Sequence, residues 1–492
     1  MAPIVLALAK AALHVGLAHR WGYADEELYI LACSERLDWG YHAAAPLVVY
    51  LTLAGRIVLG SSLLGVRVLP ALAGGVLVLA TAVLARRLGG DRFAAGLAAA
   101  TVALAPPLMS AHAALGEASW APLTWTVFAC YVVGRERRSE RLPAMTLAAG
   151  IVVGVLAAPT MAPYAAGILA ALVLAGQGPA PLLLLTTLLC AAALAPFLYW
   201  QAEHGWPLAD ALRGAPAAAE QRVFEVVAAT HVATAPLWLA GVLGLVLAPR
   251  LAPGRVLGLA LFPLLGVFVW QVWEPRPLLP VFPLLVAAGA VVVASLTRLG
   301  GRRWLRVAVG AAVVVPLVAT APLRLPLLEP SAVPGYAAVM APLASWPQAA
   351  ATELPVPAAL SRMLGWREQA KAARRAFELL PRTERERAVV WARSRYQAAA
   401  MDRLGERYGL PRALSGDGDY RRWSDGAGDA DPVVTIGFTT AELQPWFRSV
   451  REGAVANCDL CVPERQRVSV HLCGDARLPT DKLRDEMARA GP

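Results

Sequence analysis

The sequence predicts a multi-pass α-helical membrane protein with a C-terminal extracytoplasmic α/β domain. Two observations predict the membrane part. Mean hydropathy is +0.52 with only 16% charged residues over 492 positions, too apolar for a soluble chain of this size. The apolar residues are also gathered into runs of roughly 16 to 22 residues, long enough to cross a bilayer when tilt is allowed. A third observation predicts the second part: from Ser361 onward, charged helix-like stretches alternate with short apolar runs.

About eleven runs read as spans: residues 2–18, 63–84, 93–110, 117–134, 143–158, 161–176, 181–199, 232–248, 256–273, 278–296 and 305–321. The run 46–60 carries Arg56 and follows an acidic loop, so it reads as an interfacial helix. Forty-five Lys and Arg against 35 Asp and Glu give a net charge of +10. In a soluble chain that excess suggests nucleic acid; here it follows the positive-inside rule. Arg86, Arg87 and Arg92, then Arg135, Arg137, Arg138 and Arg141, then Arg250 and Arg255, then Arg298, Arg302, Arg303 and Arg306 fall in alternate loops. The N-terminus is therefore expected in the cytoplasm, in the cytoplasmic membrane, with no nucleic-acid partner.

The expected organisation is a membrane domain over 1–321 with a first outer loop at 19–62, a Pro-rich connector over 322–357, and a soluble α/β domain over 358–492. In that domain Ser361–Leu380 and Arg395–Tyr408 read as helices, the first stopped by Pro381 and the second by Gly409. Arg387–Ala392, Pro432–Phe438 and Val468–Cys473 read as strands, and Gly416–Asp431 as a loop.

The candidate chemistry lies on the expected outer side. Asp25, Glu26 and Glu27 stand in a row after the first span, where carboxylates gain nothing from anionic headgroups. Glu117 opens a later span. Acids at two helix ends suit general-base activation of an acceptor or the binding of a divalent cation beside a phosphate; both also suit the positive end of a helix. Arg276, between Pro275 and Pro277, is placed to hold a lipid phosphate or to snorkel to the headgroups. Tyr29, Tyr41, His204 and Trp206 are further cavity candidates, although Tyr199–Trp206 also reads as an interfacial aromatic belt. Cys458-x-x-Cys461, with Cys473 and His471, fits a disulfide plus a spare thiol better than zinc in an oxidising compartment. Gly-rich phosphate loops, G-x-S-x-G elbows and H-E-x-x-H helices are absent from the sequence, which argues against soluble nucleotide or hydrolase chemistry.

The order of motifs resembles a known family. Glu26-Glu27-Leu28-Tyr29, Leu37-Asp38-Trp39-Gly40-Tyr41, Arg67-Val68-Leu69-Pro70-Ala71-Leu72-Ala73-Gly74, Ala85-Arg86-Arg87-Leu88-Gly89-Gly90, Trp200-Gln201 with His204-Gly205-Trp206-Pro207, and Phe282-Pro283 look like bacterial membrane glycosyltransferases of the protein-mannosyltransferase and aminoarabinose-transferase type, with the GT-C fold. The resemblance implies a polyprenyl-phosphate-linked sugar donor, an acceptor glycan, lipid or protein, and a cavity open to the outer face. It places the first-loop acid on Glu26, or on Asp25 if the loop shifts by one residue, and the second on Glu117. Three departures stand beside it. Ala44-Ala45-Pro46 replaces His-Pro-Pro, Pro159-Thr160-Met161 stands where a lysine is expected, and Arg276-Pro277-Leu278 reduces a basic-Tyr-Tyr pattern. The alternative function is accordingly a non-catalytic relative that binds a lipid-linked glycan or a protein partner.

Overall fold

The computed structural model describes residues 1–137, 143–176, 179–212, 226–227, 230–270, 276–298, 303–343, 355–424 and 431–489. By its contacts the chain divides into two compact units. One comprises Met1–His19, Ala45–Leu327 and Gly335–Glu353; the other comprises Arg20–Ala44, Leu328–Pro334 and Leu354–Pro492.

The first unit is helical and apolar. Among the described residues, four of its helical stretches are long and apolar enough to cross a membrane: Leu63–Arg87, Ala180–Glu203, Leu278–Leu296 and Trp304–Leu323. Two bent pairs raise the number to six if each is one span: Arg92–Leu104 with Pro106–Ala113, bent by 57°, and Val232–Leu247 with Pro249–Leu259, bent by 92°. Shorter apolar helices run over Ala2–Leu17, Pro46–Leu59, Ala144–Ala157 and Pro159–Leu174. The protein is thus a helical membrane protein with several apolar spans.

Local chemistry determines where these helices start. Ser62 accepts from Gly65 N–H at 3.1 Å and Asp91 from Ala94 N–H at 2.9 Å, each satisfying a donor that the first helical turn leaves open. Pro46 and Pro106 stand in the first turn, where a missing N–H costs nothing. Pro106 also turns the single run expected over 93–110 into a bent pair, because it removes a donor and pushes Ala105 out of the helical region.

Small residues set the closest packing. A Cβ on Gly241 would lie 1.9 Å from the Leu285 carbonyl, and one on Gly289 1.8 Å from that of Leu237. Helices Ala235–Leu247 and Phe282–Leu296 therefore touch backbone to backbone, as small residues permit between membrane helices.

The second unit carries a five-stranded mixed sheet. Its strands are β1 (Val389–Ala392), β2 (Ala413–Leu414), β3 (Val433–Ile436), β4 (Phe447–Asn457) and β5 (Arg467–Ala476), in the spatial order β2-β1-β3-β5-β4. β1 pairs parallel with β2 and β3, with Val390 opposite Val434. β5 pairs antiparallel with β3 and β4. Helix Trp366–Glu378 packs on β4 and β5. Trp391, Phe438, Phe447 and Leu483 belong to one buried cluster.

Strands β1, β3 and β5 coincide with the three apolar runs expected from the sequence. The longest strand, β4, has no counterpart among those runs. It lies at the sheet edge and exposes Arg448, Arg451 and Glu452, so charge that protects an edge also hides its apolar alternation. A short helix, Asp419–Trp423, stands inside the expected loop 416–431. Cys458 and Cys461 form a disulfide, while Cys473 is a buried free thiol.

Candidate functional site

The candidate residues separate by unit. Asp25, Glu26, Tyr29 and Tyr41 belong to the sheet-bearing unit, and Glu117, His204, Trp206 and Arg276 to the helical one.

In the sheet-bearing unit the acids open helix Asp25–Ser34, where negative charge suits the helix N-terminus. The three adjacent carboxylates nevertheless have different surroundings. Glu27 is fully buried and accepts from Ala24 N–H at 2.8 Å, closing the start of the helix. Asp25 is 8% exposed and takes a bidentate pair of bonds from Arg465 Nη2, at 2.8 and 3.0 Å. Arg465 also donates to Arg362 O and Leu364 O, and its guanidinium lies 4.1 Å from the Trp366 ring centre. Burial holds the Asp25 carboxyl above the usual carboxylate range, although Arg465 and Arg362 pull it down. Glu26, between these two, is half-buried.

A turn further on, the buried Tyr29 donates to the carboxylate of Asp419. Asp419 is itself fully buried and also accepts from His42 N–H at 3.0 Å, with His42 Nδ1 at 2.9 Å and Arg422 at 3.5 Å. Burial acts to raise Asp419, but the bonds from His42 and Tyr29 outweigh it and hold the carboxyl below its ordinary value. Arg422 reaches Asp38 at 2.6 Å, and Asp38 N–H donates to Tyr41 Oη at 2.8 Å. Arg36 pairs with Asp402 at 3.6 Å and lies 4.6 Å from the Trp423 ring. The loop Arg20–Ala44 is thus bound into its unit by charge pairs such as Asp38–Arg422 and Asp25–Arg465, whose partners lie 384 and 440 positions apart. Close packing adds to this, since a Cβ on Gly22 would lie 2.4 Å from Met363 O.

In the helical unit Glu117 begins helix Glu117–Arg137, and Thr160 Oγ1 donates to its Oε1 at 3.4 Å. Two features singled out in the sequence, the second acid and the Pro159-Thr160-Met161 turn, therefore meet. Helix Pro207–Leu212 packs against that same turn. Trp206 introduces this helix with φ +60°, donates from its backbone to Gln201 O at 2.8 Å and is half exposed. His204 caps helix Ala180–Glu203; its Nδ1 lies 2.7 Å from Trp200 O and its ring stacks on Trp200 at 4.1 Å. Arg276 opens the 3-10 segment Arg276–Val281, which packs against helix Glu117–Arg137. The Arg276 side chain and residues 271–275 lie outside the described residues.

A buried polar cluster in the helical unit stands apart from every candidate expected from the sequence. Lys10, 4% exposed, donates to Ala103 O at 3.1 Å and Leu108 O at 3.3 Å, bracketing the bend at Ala105-Pro106. His14 Nε2 lies 3.1 Å from Met109 O, and the His14 and His112 rings meet edge to face at 6.3 Å. A lysine and a histidine four residues apart inside an apolar helix are the signal that points to it. Among the described residues no group of three or more His, Cys, Asp or Glu side chains is placed to hold a metal ion.

The described residues combine a helical unit of several apolar spans with a C-terminal mixed sheet. Two solved structures of ArnT share this fold over nearly the whole chain. ArnT from Cupriavidus metallidurans in the apo state matches with a TM-score of 0.57 and 14% identity, over 95% of this chain and 97% of that one. ArnT from the same organism bound to undecaprenyl phosphate matches with a TM-score of 0.58 and 15% identity, over the same shares. The Archaeoglobus fulgidus oligosaccharyltransferase, tethered with an acceptor peptide, matches at 0.46 and 15% identity, over 81% of this chain and 63% of that one. At such identities the likeness is one of fold. No family model matches the sequence, and no curated protein matches it.

Proposed function

We propose that this protein transfers a sugar from a polyprenyl-phosphate-linked donor to an acceptor at the outer face of the cytoplasmic membrane. The observation that carries the reading is the shared fold over 95% of the chain with ArnT, which has been solved with undecaprenyl phosphate bound. The Arg-rich alternate loops support a cytoplasmic N-terminus and an extracytoplasmic sheet-bearing unit, and the apolar runs support about eleven spans.

In the proposed step a hydroxyl or amine of the acceptor attacks the anomeric carbon. The bond from that carbon to the phosphate oxygen breaks with inversion, the electron pair leaves on the phosphate, and the acceptor proton passes to a carboxylate. Glu26 is the carboxylate of choice, because the motif resemblance falls on it and its half-buried position keeps it within reach of solvent. Its neighbours have structural work: Arg465 occupies both oxygens of Asp25, and Glu27 closes the helix start. By the motif resemblance alone, Glu117 would orient the acceptor and Arg276 would offset charge on the departing phosphate; within the helical unit Thr160 stands beside Glu117.

The purified full-length protein should transfer sugar from at least one member of a panel of polyprenyl-phosphate sugars, and Glu26→Gln should lower that transfer by about 10²- to 10⁴-fold. The second reading is a non-catalytic binder. Thr160, which meets Glu117 where the resemblance expects a lysine, favours it. Saturable binding of the donors with no turnover across the panel would establish that reading and overturn the enzyme.

A further inference from the structure

A cavity of about 1280 Å³ opens at one end of the helical unit, among helices Ala2–Leu17, Leu63–Arg87, Arg92–Leu104 and Glu117–Arg137. Its inner wall is apolar, with Leu79, Ala82 and Tyr131. Five arginines line it as well: Arg86, Arg87, Arg92, Arg135 and Arg137, all at helix ends. Among the described residues, none of those lining it is acidic. The neighbouring acid Asp91 is matched already, by Arg298 at 2.9 Å and Arg306 at 3.0 Å. Glu136, on the helix between Arg135 and Arg137, does not line the cavity.

Three of the arginines are held in place by backbone carbonyls. Arg137 Nη1 donates to Arg86 O at 3.2 Å and Arg87 O at 2.9 Å, Arg86 Nη1 to Gly90 O at 2.8 Å, and Arg87 to Cys130 O. Each of these arginines brings a five-donor fork and a full charge that a carbonyl does not cancel. The positive-inside rule accounts for arginines in a loop, but it does not ask for an apolar cavity behind them.

We propose that this cavity binds an anionic phospholipid, with the headgroup phosphate on the arginines and an acyl chain along the apolar wall. Charge complementarity and the chain's own placement in a membrane commit the site to lipid: a small soluble anion needs the arginines alone, whereas the apolar wall matches a tail. The inference stands independently of the glycosyltransferase reading.

The test is native mass spectrometry of the full-length protein released from nanodiscs with equal mole fractions of phosphatidylglycerol and phosphatidylcholine. Wild type should retain the anionic lipid preferentially. Arg86→Gln with Arg92→Gln, at two exposed positions, should reduce that preference by about tenfold or more. Arg86→Lys with Arg92→Lys should keep most of it, which separates charge from damage to the fold. Equal retention of both lipids by wild type, or an unchanged preference in the double Gln variant, would overturn the proposal. Displacement of the bound lipid by millimolar glycerol phosphate alone would assign the site to a soluble phosphate and also overturn it.

Discussion

The helical unit and the sheet-bearing unit bury polar groups in opposite ways. In the first, buried cations rest on backbone carbonyls: Lys10 on Ala103 O and Leu108 O, and Arg67 on Ala18 O. In the second, charge meets charge: Asp25 with Arg465, Asp38 with Arg422, Asp402 with Arg36, Asp417 with Arg395. A helix that bends or ends leaves carbonyls without partners, and a cation satisfies them without introducing a second buried charge. In the sheet-bearing unit the buried Asp25, Asp417 and Asp419 carboxylates each meet a cation, which offsets the cost of burying a charge. The buried acids of the sheet-bearing unit are therefore committed to structure, and the half-buried Glu26 differs from both of its neighbours.

The comparison is most exposed at Arg465. Replacing it by Met strands the buried Asp25 carboxylate and should cost about 3–5 kcal/mol, read as a lower unfolding temperature of the purified protein. Adding Asp25→Asn should recover part of the loss; if Arg465→Met alone is silent, the pair does not hold the loop. In the helical unit, Lys10→Met removes the donor of two buried carbonyls and should cost less, about 1–3 kcal/mol, by the same measurement. A larger loss than at Arg465 would reverse the contrast.

The smallest effect is in pH. Because the Asp419 carboxyl is held below its ordinary value, it contributes stability above that value and loses it as pH falls through the lowered one. Unfolding temperature should fall on acidification below about pH 4, and Asp419→Asn should remove that part of the slope. Identical profiles for the two proteins would take Asp419 out of the account.

The helices were legible because an apolar run long enough for a bilayer is hard to bury in a soluble fold, and Pro46 and Asp91 mark helix starts by their chemistry. The bend at Pro106 was legible in principle from the proline alone. Strand β4 was not, since its exposed charges mask the period of two. For the candidate site, the helix-end position of Glu117 could be read directly. The bidentate bond of Asp25 could not: Arg465 lies 440 residues away, and nothing in either local sequence names the other. Cys458 and Cys461 left metal and disulfide open by spacing alone, and the structure resolves them as a disulfide.

The adjacent acids Asp25 and Glu26 give the most direct test of the central claim. Sugar transfer from polyprenyl-phosphate donors and unfolding temperature should be measured together on wild type, Glu26→Gln and Asp25→Asn. On that claim, Glu26→Gln should lose transfer by about 10²-fold or more, with a smaller fall in unfolding temperature than Asp25→Asn. Full transfer by Glu26→Gln, at the stability of wild type, would contradict it.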